Sequence, residues 1–342
     1  MKKKFDNYHY ATSHILLQDA YYGGLTAPCK LYAETDDQHV LKHGDFVSLY
    51  PSIMSAEEFP IGHPEYMAIF EDVNWTKPED VVLDGVEIRG VLKVVLEPPE
   101  KCLHPPVPYK TKTHLLFGLC KACCDNAQKI KNVKDCYKCE HTIEQRRFTA
   151  TITSIELKMA LAANFKCTHV FAAVHYDKWS NAIFHDYVKS FLKSKQEASG
   201  WPSHCTADAE KEAFLQKIKD VDGIELDPNN IGYNPGLRYL SKLSLNSLFG
   251  RFSLRCSLSR TEITRDPAVV YKMLDDKSLE VSNIDCVEMD GRETMILTYK
   301  KKDDFVEEHD TYNVLYSLWI TAIGRCRLLN LFNKIEEDGH GE

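Results

Sequence analysis

Asp45 heads a short apolar segment, GDFVSLYPSIM from Gly44 to Met54, in which Ser48, Tyr50 and Pro51 follow the acid at close spacing. An acid leading a short apolar segment, with a small hydroxyl residue, an aromatic and a proline behind it, is what a site needs to hold a metal and a nucleotide. A second segment, KLSLNSLFGRF from Lys242 to Phe252, supplies a cationic helix. Together, in this order, the two segments point to template-directed nucleotidyl transfer.

A third constellation is made of sulfur. Cys120 and Cys123, then Cys136 and Cys139, form two C-x2-C pairs, with His141 two residues beyond the second. Paired thiolates at this spacing hold one tetrahedral ion, and Zn²⁺ is the expected one. Five side chains, Cys120, Cys123, Cys136, Cys139 and His141, contend for four places, and Cys124 is a further competitor. A thiolate-rich shell leaves no open position for water, so the expected role is structural. The other cysteines, among them Cys29, Cys167 and Cys326, read as isolated thiols.

The elements that must position these groups can be read from periodicity and breakers. Around the Gly23-Gly24 pair, residues 19–34 predict a hairpin or sharp bend. Val47 to Ile53 predicts a strand that Pro51 stops, with a helix from about Ser52. Val82 to Leu96 is β-branched with an Asp-Gly turn and predicts two strands. Helices are expected over Thr153–Ala163, Ile183–Ser199 and Asn313–Ile335, and strands over Ser253–Thr261 and Met295–Lys300. Asn234 is a good N-cap, Pro235 fits the first helical position and Gly250 marks an end, so a helix spans that interval. At 100° per residue its Arg238, Lys242, Asn246 and Phe249 fall within about 80° of one another. Leu237, Leu245 and Leu248 lie on an adjoining face, which is expected to pack. Lys193 and Lys195, in FLKSK, read as a solvated face.

The bulk properties are permissive. The 342 residues carry a formal charge of -8 and are 44% hydrophobic, enough for two or three globular units. No apolar run is long enough for a membrane span, and the N-terminal MKKKFDNYHYATSH lacks a signal-peptide core. A soluble intracellular protein is expected, nucleus and cytoplasm remaining open. Charge is segregated. Between Gly236 and Arg260 stand Arg238, Lys242, Arg251, Arg255 and Arg260 with no acid, a stretch suited to phosphates.

In its motifs the chain resembles family B DNA polymerases, most closely the protein-primed branch of the organellar and viral type and, within it, the polymerases of Polinton or Maverick transposable elements. Asp45-x2-Ser-Leu-Tyr-Pro is similar to the family's motif A. Lys242-x3-Asn246-Ser-x-Phe249-Gly250 is similar to motif B, with Phe249 where many members have tyrosine or tryptophan. Tyr21-Tyr22-Gly23-Gly24 matches the Y-x-G-G element. LCKACC, CEHTIEQRRFTAT, FLKSKQEASGWP and NPGLRYLSKL resemble the transposon enzymes.

The resemblance implies an α+β fold, with part of a right-hand palm and fingers and an inserted zinc-binding module. The implied organisation is 1–60 with the Y-x-G-G element and motif A, and 61–230 as an insertion like the terminal-protein region, its cysteine module at about 109–147. Motif B then lies in a fingers helix at 231–262, and the palm continues over 263–342. It also implies addition of dNTPs to a primer 3′-hydroxyl in DNA replication, assisted by two Mg²⁺ ions. Asp45 would hold both ions, with the Phe46 carbonyl as a further ligand. Ser48, Leu49, Tyr50, Arg238, Lys242 and Asn246 would hold the nucleotide, and Tyr50 would exclude ribose. Tyr21, Gly23, Gly24, Phe249, Gly250 and Arg251 would meet DNA. A template-primer, dNTPs and a terminal priming protein are the implied partners, with no membrane. Arg325 and Arg327, in TAIGRCRLL, would be structural or remote DNA contacts.

The family's motif C, an apolar strand ending in Asp-Thr-Asp-Ser, should follow TAIGRCRLL, and the sequence ends at Glu342 before any such strand. The family's N-terminal proofreading domain, with its own acidic exonuclease motifs, is likewise expected to be absent from this stretch of sequence. Two classes therefore stand: a polymerase of which this chain is an incomplete fragment, and a non-catalytic, zinc-containing nucleic-acid-binding remnant of a mobile element.

Overall fold

The computed structural model describes residues 14–26, 32, 34–36, 40–46, 48–111, 114–126, 139–254, 258–306 and 312–337. The chain divides into two compact units, Met1–Phe249 with Val314–Glu342, and Gly250–Asn313.

In the first unit a 3₁₀ turn, Leu17–Ala20, runs into an irregular bend, and no strand forms in the described part of residues 19–34. Helix α1 then spans Leu49–Ala56, starting three residues before the expected Ser52 and replacing the expected strand. Pro51 is tolerated because its missing N–H falls in the first turn, where no intrahelical acceptor exists. Strands β1 (Phe59–Ile61) and β2 (Glu65–Trp75) follow, then β3 (Val82–Leu83), β4 (Val86–Glu87) and β5 (Gly90–Glu97). The Asp-Gly turn is real: Asp84 and Gly85 both take left-handed φ, +48° and +79°, as a two-residue hairpin demands. It closes only the short β3–β4 pair, so the interval holds three strands rather than two.

The cysteine-bearing stretch contributes β6 (Tyr109–Lys110), β7 (Leu115–Leu116), α2 (Lys121–Asn126) and α3 (Ile143–Arg146). Next come β8 (Phe148–Thr153), α4 (Ser154–Ala162), β9 (Lys166–His175), β10 (Lys178–Ser180), α5 (His185–Glu197), α6 (Asp208–Asp222) and α7 (Pro235–Phe252). Four strands form an antiparallel sheet in the order β2-β9-β5-β8. Alternation along it buries Leu92, Val94 and Leu96 of β5, Ala150 and Ile152 of β8, and Val170 of β9 in one cluster with Leu157 and Leu161 of α4. Each large side chain there contributes about 1.5–3 kcal/mol. Gly90 is required at the start of β5, because a Cβ would lie 1.9 Å from the Val174 carbonyl oxygen.

Helix α4 begins with a reciprocal cap. The Glu156 N–H donates to Thr153 Oγ1 and the Thr153 N–H to Glu156 Oε2, each at 3.2 Å, worth about 1 kcal/mol.

The second unit is β11 (Arg260–Thr264), α8 (Pro267–Asp275), β12 (Leu279–Met289) and β13 (Arg292–Lys301), with sheet order β11-β13-β12. Its hairpin turns at Asp290 and Gly291, both at left-handed φ. The strand expected over Ser253–Thr261 forms later, at β11, and β12 was not anticipated. Most of β12 is exposed, Ile284, Val287 and Met289 included, and its register shifts at Val281–Asn283, so its apolar residues keep to no single face. Finally α9 (Val314–Glu337) returns to the first unit and packs against α1 and α4. The mixture of helices and mainly antiparallel strands is α+β, as expected.

Candidate nucleotide and metal sites

Tyr50 stands where distant segments of the first unit meet. A Cβ on Gly24 would lie 3.2 Å from the Tyr50 hydroxyl, and one on Gly324 of α9 would lie 3.1 Å from its Cε1. The Phe249 ring, from α7, packs at 4.4 Å between centroids. Two glycines thus leave the room that the tyrosine fills. Burial pushes its phenol pKa up, against the opposing field of Arg325, so the hydroxyl keeps its proton at neutral pH.

The bend carrying Gly24 is held from below by Arg325. Its Nη1 donates to the carbonyl oxygens of Tyr22 (2.9 Å) and Gly23 (2.7 Å). Nε and Nη2 donate to Glu156 Oε1 at 3.1 and 2.5 Å. The two side chains are 0% and 1% exposed. Gly23, by contrast, is exposed with open space where a Cβ would stand, and Tyr21 is half-buried. Arg327, two residues on, pairs with Glu57 (2.5 Å) and donates to Ser52 Oγ (3.1 Å), fastening α9 to α1.

Asp45 and Phe46 lie exposed in an irregular segment before α1, and Val47 falls outside the described residues. Ser48 then turns the chain in the left-handed conformation, φ 55° and ψ 48°. That conformation costs a non-glycine residue of order 1–3 kcal/mol and recurs at functional turns. It aims the first-turn amides of α1, those of Leu49 and Tyr50, out of the helix end, where the dipole favours an anion. Among the described residues, Asp45 belongs to no group of three or more His, Cys, Asp or Glu able to share an ion.

Asn234 caps α7 as expected, its Oδ1 accepting from the Leu237 N–H at 3.0 Å. The helix continues through Gly250 to Phe252. Leu245 and Ser241 are buried, but Leu237 is 46% exposed, so the packing face is narrower than the heptad-like spacing suggests. Contacts with α5 set its orientation: Ser241 Oγ meets Ser194 Oγ at 2.9 Å, and the Tyr187 hydroxyl donates to the Ser244 carbonyl at 3.0 Å. Arg238, Lys242 and Asn246 are exposed, and Arg238 Nε donates to Ser199 Oγ at 3.2 Å.

This apposition changes the reading of Lys195, which is partly buried beside Arg238 and Lys242. Burial, then the repulsion of those two cations, holds its ammonium pKa below the usual lysine value. Lys193 does face solvent, pairing with Glu197 at 3.8 Å. Periodicity within α5 gave no sign of this cluster, which arises from a second helix. In the other unit, Gly250 has open space around it and Arg251 is exposed, its guanidinium 5.6 Å from the Tyr312 ring centre.

Cys120, Cys123, Cys139 and His141 bring one ligand atom each to within 4.8 Å of one another. His141 Nδ1 is 3.5, 3.4 and 3.5 Å from the sulfurs of Cys120, Cys123 and Cys139. Three sulfurs and one imidazole nitrogen at this separation fit a tetrahedral Zn²⁺. Cys136 lies outside the described residues. Cys124 turns away: its sulfur abuts Gly118, where a Cβ would lie 2.5 Å from it. The module is tied to the sheet by Arg147, which pairs with Glu97 at 2.6 Å.

No curated protein matches the sequence. Among solved structures, Phi29 DNA polymerase complexed with primer-template DNA and incoming nucleotide substrates is similar at 14% identity and a TM-score of 0.44, over 92% of this chain and 39% of that one. Phi29 DNA polymerase complexed with single-stranded DNA is similar at 14% identity and 0.42, over 90% and 37%. The chain thus spans about two fifths of the length of these polymerases. The model of the family described as DNA polymerase type B, organellar and viral, matches residues 12–204, from before the Tyr21–Gly24 bend through the cysteine module and α5. The chain belongs to the organellar and viral type B DNA polymerases.

Proposed function

We propose that the chain holds an incoming deoxynucleotide against a primer-template, as part of a protein-primed DNA polymerase descended from a Polinton-type mobile element. The observation that carries this reading is the convergence on Tyr50 of Gly24, Phe249 and Gly324, which come from the bend, α7 and α9. A ring so confined can form the floor under a sugar, where a 2′-hydroxyl finds no room.

The remaining roles follow from chemistry. Arg238, Lys242 and Lys195 present a cationic patch for the outer phosphates, Arg238 through its planar fork and the lysines as point charges. Asn246 lines the same helix face. The amides of Ser48, Leu49 and Tyr50 receive the polyphosphate at the start of α1. Tyr21, Gly23 and Gly24 follow the template backbone without reading bases, Phe249 and Gly250 offer a flat surface to the nascent pair, and Arg251 takes a phosphate. Asp45 and the Phe46 carbonyl are exposed hard donors that fit Mg²⁺, which when bound stabilises the attacking and leaving oxygens of the transfer. Cys120, Cys123, Cys139 and His141 hold a structural Zn²⁺. The stretch around it is the surface proposed for a terminal priming protein, and the segment 231–262, which carries α7, and the segments 1–60 and 263–342 correspond to fingers and palm.

The test is binding. With a primer-template in Mg²⁺, the matched dNTP is expected to stabilise the complex and the matched rNTP much less. Lys242→Ala should weaken dNTP binding about tenfold, and Asp45→Asn should remove its Mg²⁺ dependence while leaving DNA binding intact. A chain that binds neither DNA nor nucleotide would overturn the proposal.

A further inference from the structure

Glu156 and Arg325 form a buried ion pair with four further hydrogen bonds, and such a pair is in general a poor source of stability. Desolvating two charges costs several kcal/mol per ion, and replacement of such pairs by neutral groups of similar volume is often neutral or stabilising. The arrangement is nonetheless fully satisfied. Glu156 Oε1 takes two guanidinium N–H groups, while Oε2 takes the Thr153 N–H (3.2 Å) and hydroxyl (2.9 Å). The fifth side of the network points at the bend: Nη1 donates to both the Tyr22 and Gly23 carbonyl oxygens. Tyr22 is itself buried, with the guanidinium 5.7 Å from its ring centre. The next residue, Gly24, bears on the Tyr50 hydroxyl, and the residue before Arg325, Gly324, bears on the Tyr50 ring.

We infer that Glu156 and Arg325 are positioning residues for Tyr50, fixing both glycine contacts at once from a rigid anchor at the start of α4. This rests on the proposed function for its consequence, since Tyr50 there discriminates the sugar. The geometry is over-determined in the way a placement device must be. One planar cation spans 169 residues of sequence to its carboxylate and 302 to the Gly23 carbonyl, so three separate segments share a single rigid group. A lysine could carry the charge but not the fork.

The test uses the full chain with 3-fluorotyrosine at position 50. The double variant Glu156→Gln/Arg325→Met leaves no unpaired charge and keeps an amide oxygen for the Thr153 N–H, but removes every donor to Tyr22 and Gly23. It is expected to melt within a few degrees of the parent. Its ¹⁹F resonance should shift or broaden, and its preference for the matched dNTP over the rNTP on a primer-template should fall about tenfold or more, since misplacement by about 1 Å can cost on the order of 10²-fold. Arg325→Lys, which keeps the charge, should move the resonance in the same sense, and serves if the double variant does not fold. An unchanged resonance in a folded variant overturns the inference. A moved resonance in a chain whose parent shows no nucleotide binding supports the positioning role and removes the proposed function instead.

Discussion

Removal of the proposed zinc offers the sharpest quantitative test. Cys120 and His141 are 21 residues apart and meet at 3.5 Å. Cross-linking a loop of this length removes about 3 kcal/mol of chain entropy from the open state, by the same arithmetic that applies to a disulfide. Among the described residues the loop holds one helix of 6 residues, and its flanks a two-residue strand pair and a helix of 4 residues, all too short to persist alone. Chelation of the metal should therefore cost the module about 3 kcal/mol or more locally, which corresponds to about a hundredfold loss of hydrogen-exchange protection over 115–126 and 141–146. Protection in β5, β8 and β9 should persist, since their core is the separate cluster around Leu92 and Leu157. Metal analysis should find one zinc per chain. Cys123→Ser and His141→Ala should each abolish it, whereas Cys136→Ser should retain it, because four described ligands already fill a tetrahedral shell. Zinc that survives His141→Ala but is lost in Cys136→Ser would refute the ligand assignment. Unchanged exchange over 115–126 after full chelation would refute the loop arithmetic.

Three other outcomes are expected. Gly90→Ala should destabilise the chain by about 3 kcal/mol or more in a denaturant titration, because the new Cβ meets a backbone oxygen at the start of an inner strand of the main sheet. Lys195→Met should raise the melting temperature slightly while weakening dNTP binding about tenfold. The sign follows from the depressed pKa of Lys195: the folded chain binds fewer protons than the unfolded one between the two pKa values, so stability rises with pH there and the ammonium is a cost that a bound polyphosphate would relieve. The increment that Lys195→Met adds to thermal stability should accordingly shrink as pH rises through the folded pKa, and a constant increment would count against a shift caused by burial and the two neighbouring cations. Gly324→Ala should shift the Tyr50 ring by a few tenths of an ångström, visible in its fluorescence, with a stability loss of about 1 kcal/mol.

The sequence disclosed those parts of the fold whose cause is local. Helices α4, α5, α7 and α9 carry caps or long periodic faces, and each formed close to its expected range. Strand β12 did not announce itself, because its pairing is decided by the Asp290-Gly291 turn and by β13 rather than by its own exposed side chains. The helix at Leu49 was misplaced for a related reason. Proline was read as a strand stop, yet at the third helical position it costs nothing, and the true start is set by the left-handed turn at Ser48. A single dihedral of that kind leaves no periodic trace.

The candidate site divides along the same line. Residues whose proposed role rests on type and spacing, Asp45, Lys242 and the paired cysteines among them, were legible as candidates, and Cys120, Cys123 and Cys139 do meet His141. The residues that hold them were not. Glu156 was only one more residue of the helix expected over Thr153–Ala163, and Lys195 only one cation on a polar helix face. Both acquire their meaning from partners brought in by α9 and α7. Gly324 is the clearest case. Nothing in a helix interior argues for glycine, which there costs about 1 kcal/mol relative to alanine, and only the Tyr50 ring 3.1 Å from the place of its absent Cβ accounts for it. A helix that accepts that cost, next to an arginine buried with its counter-ion, spends stability on placement. The same ring collects the returns from the bend, from α7 and from α9, so perturbing any one of the three should move Tyr50 before it unfolds the chain.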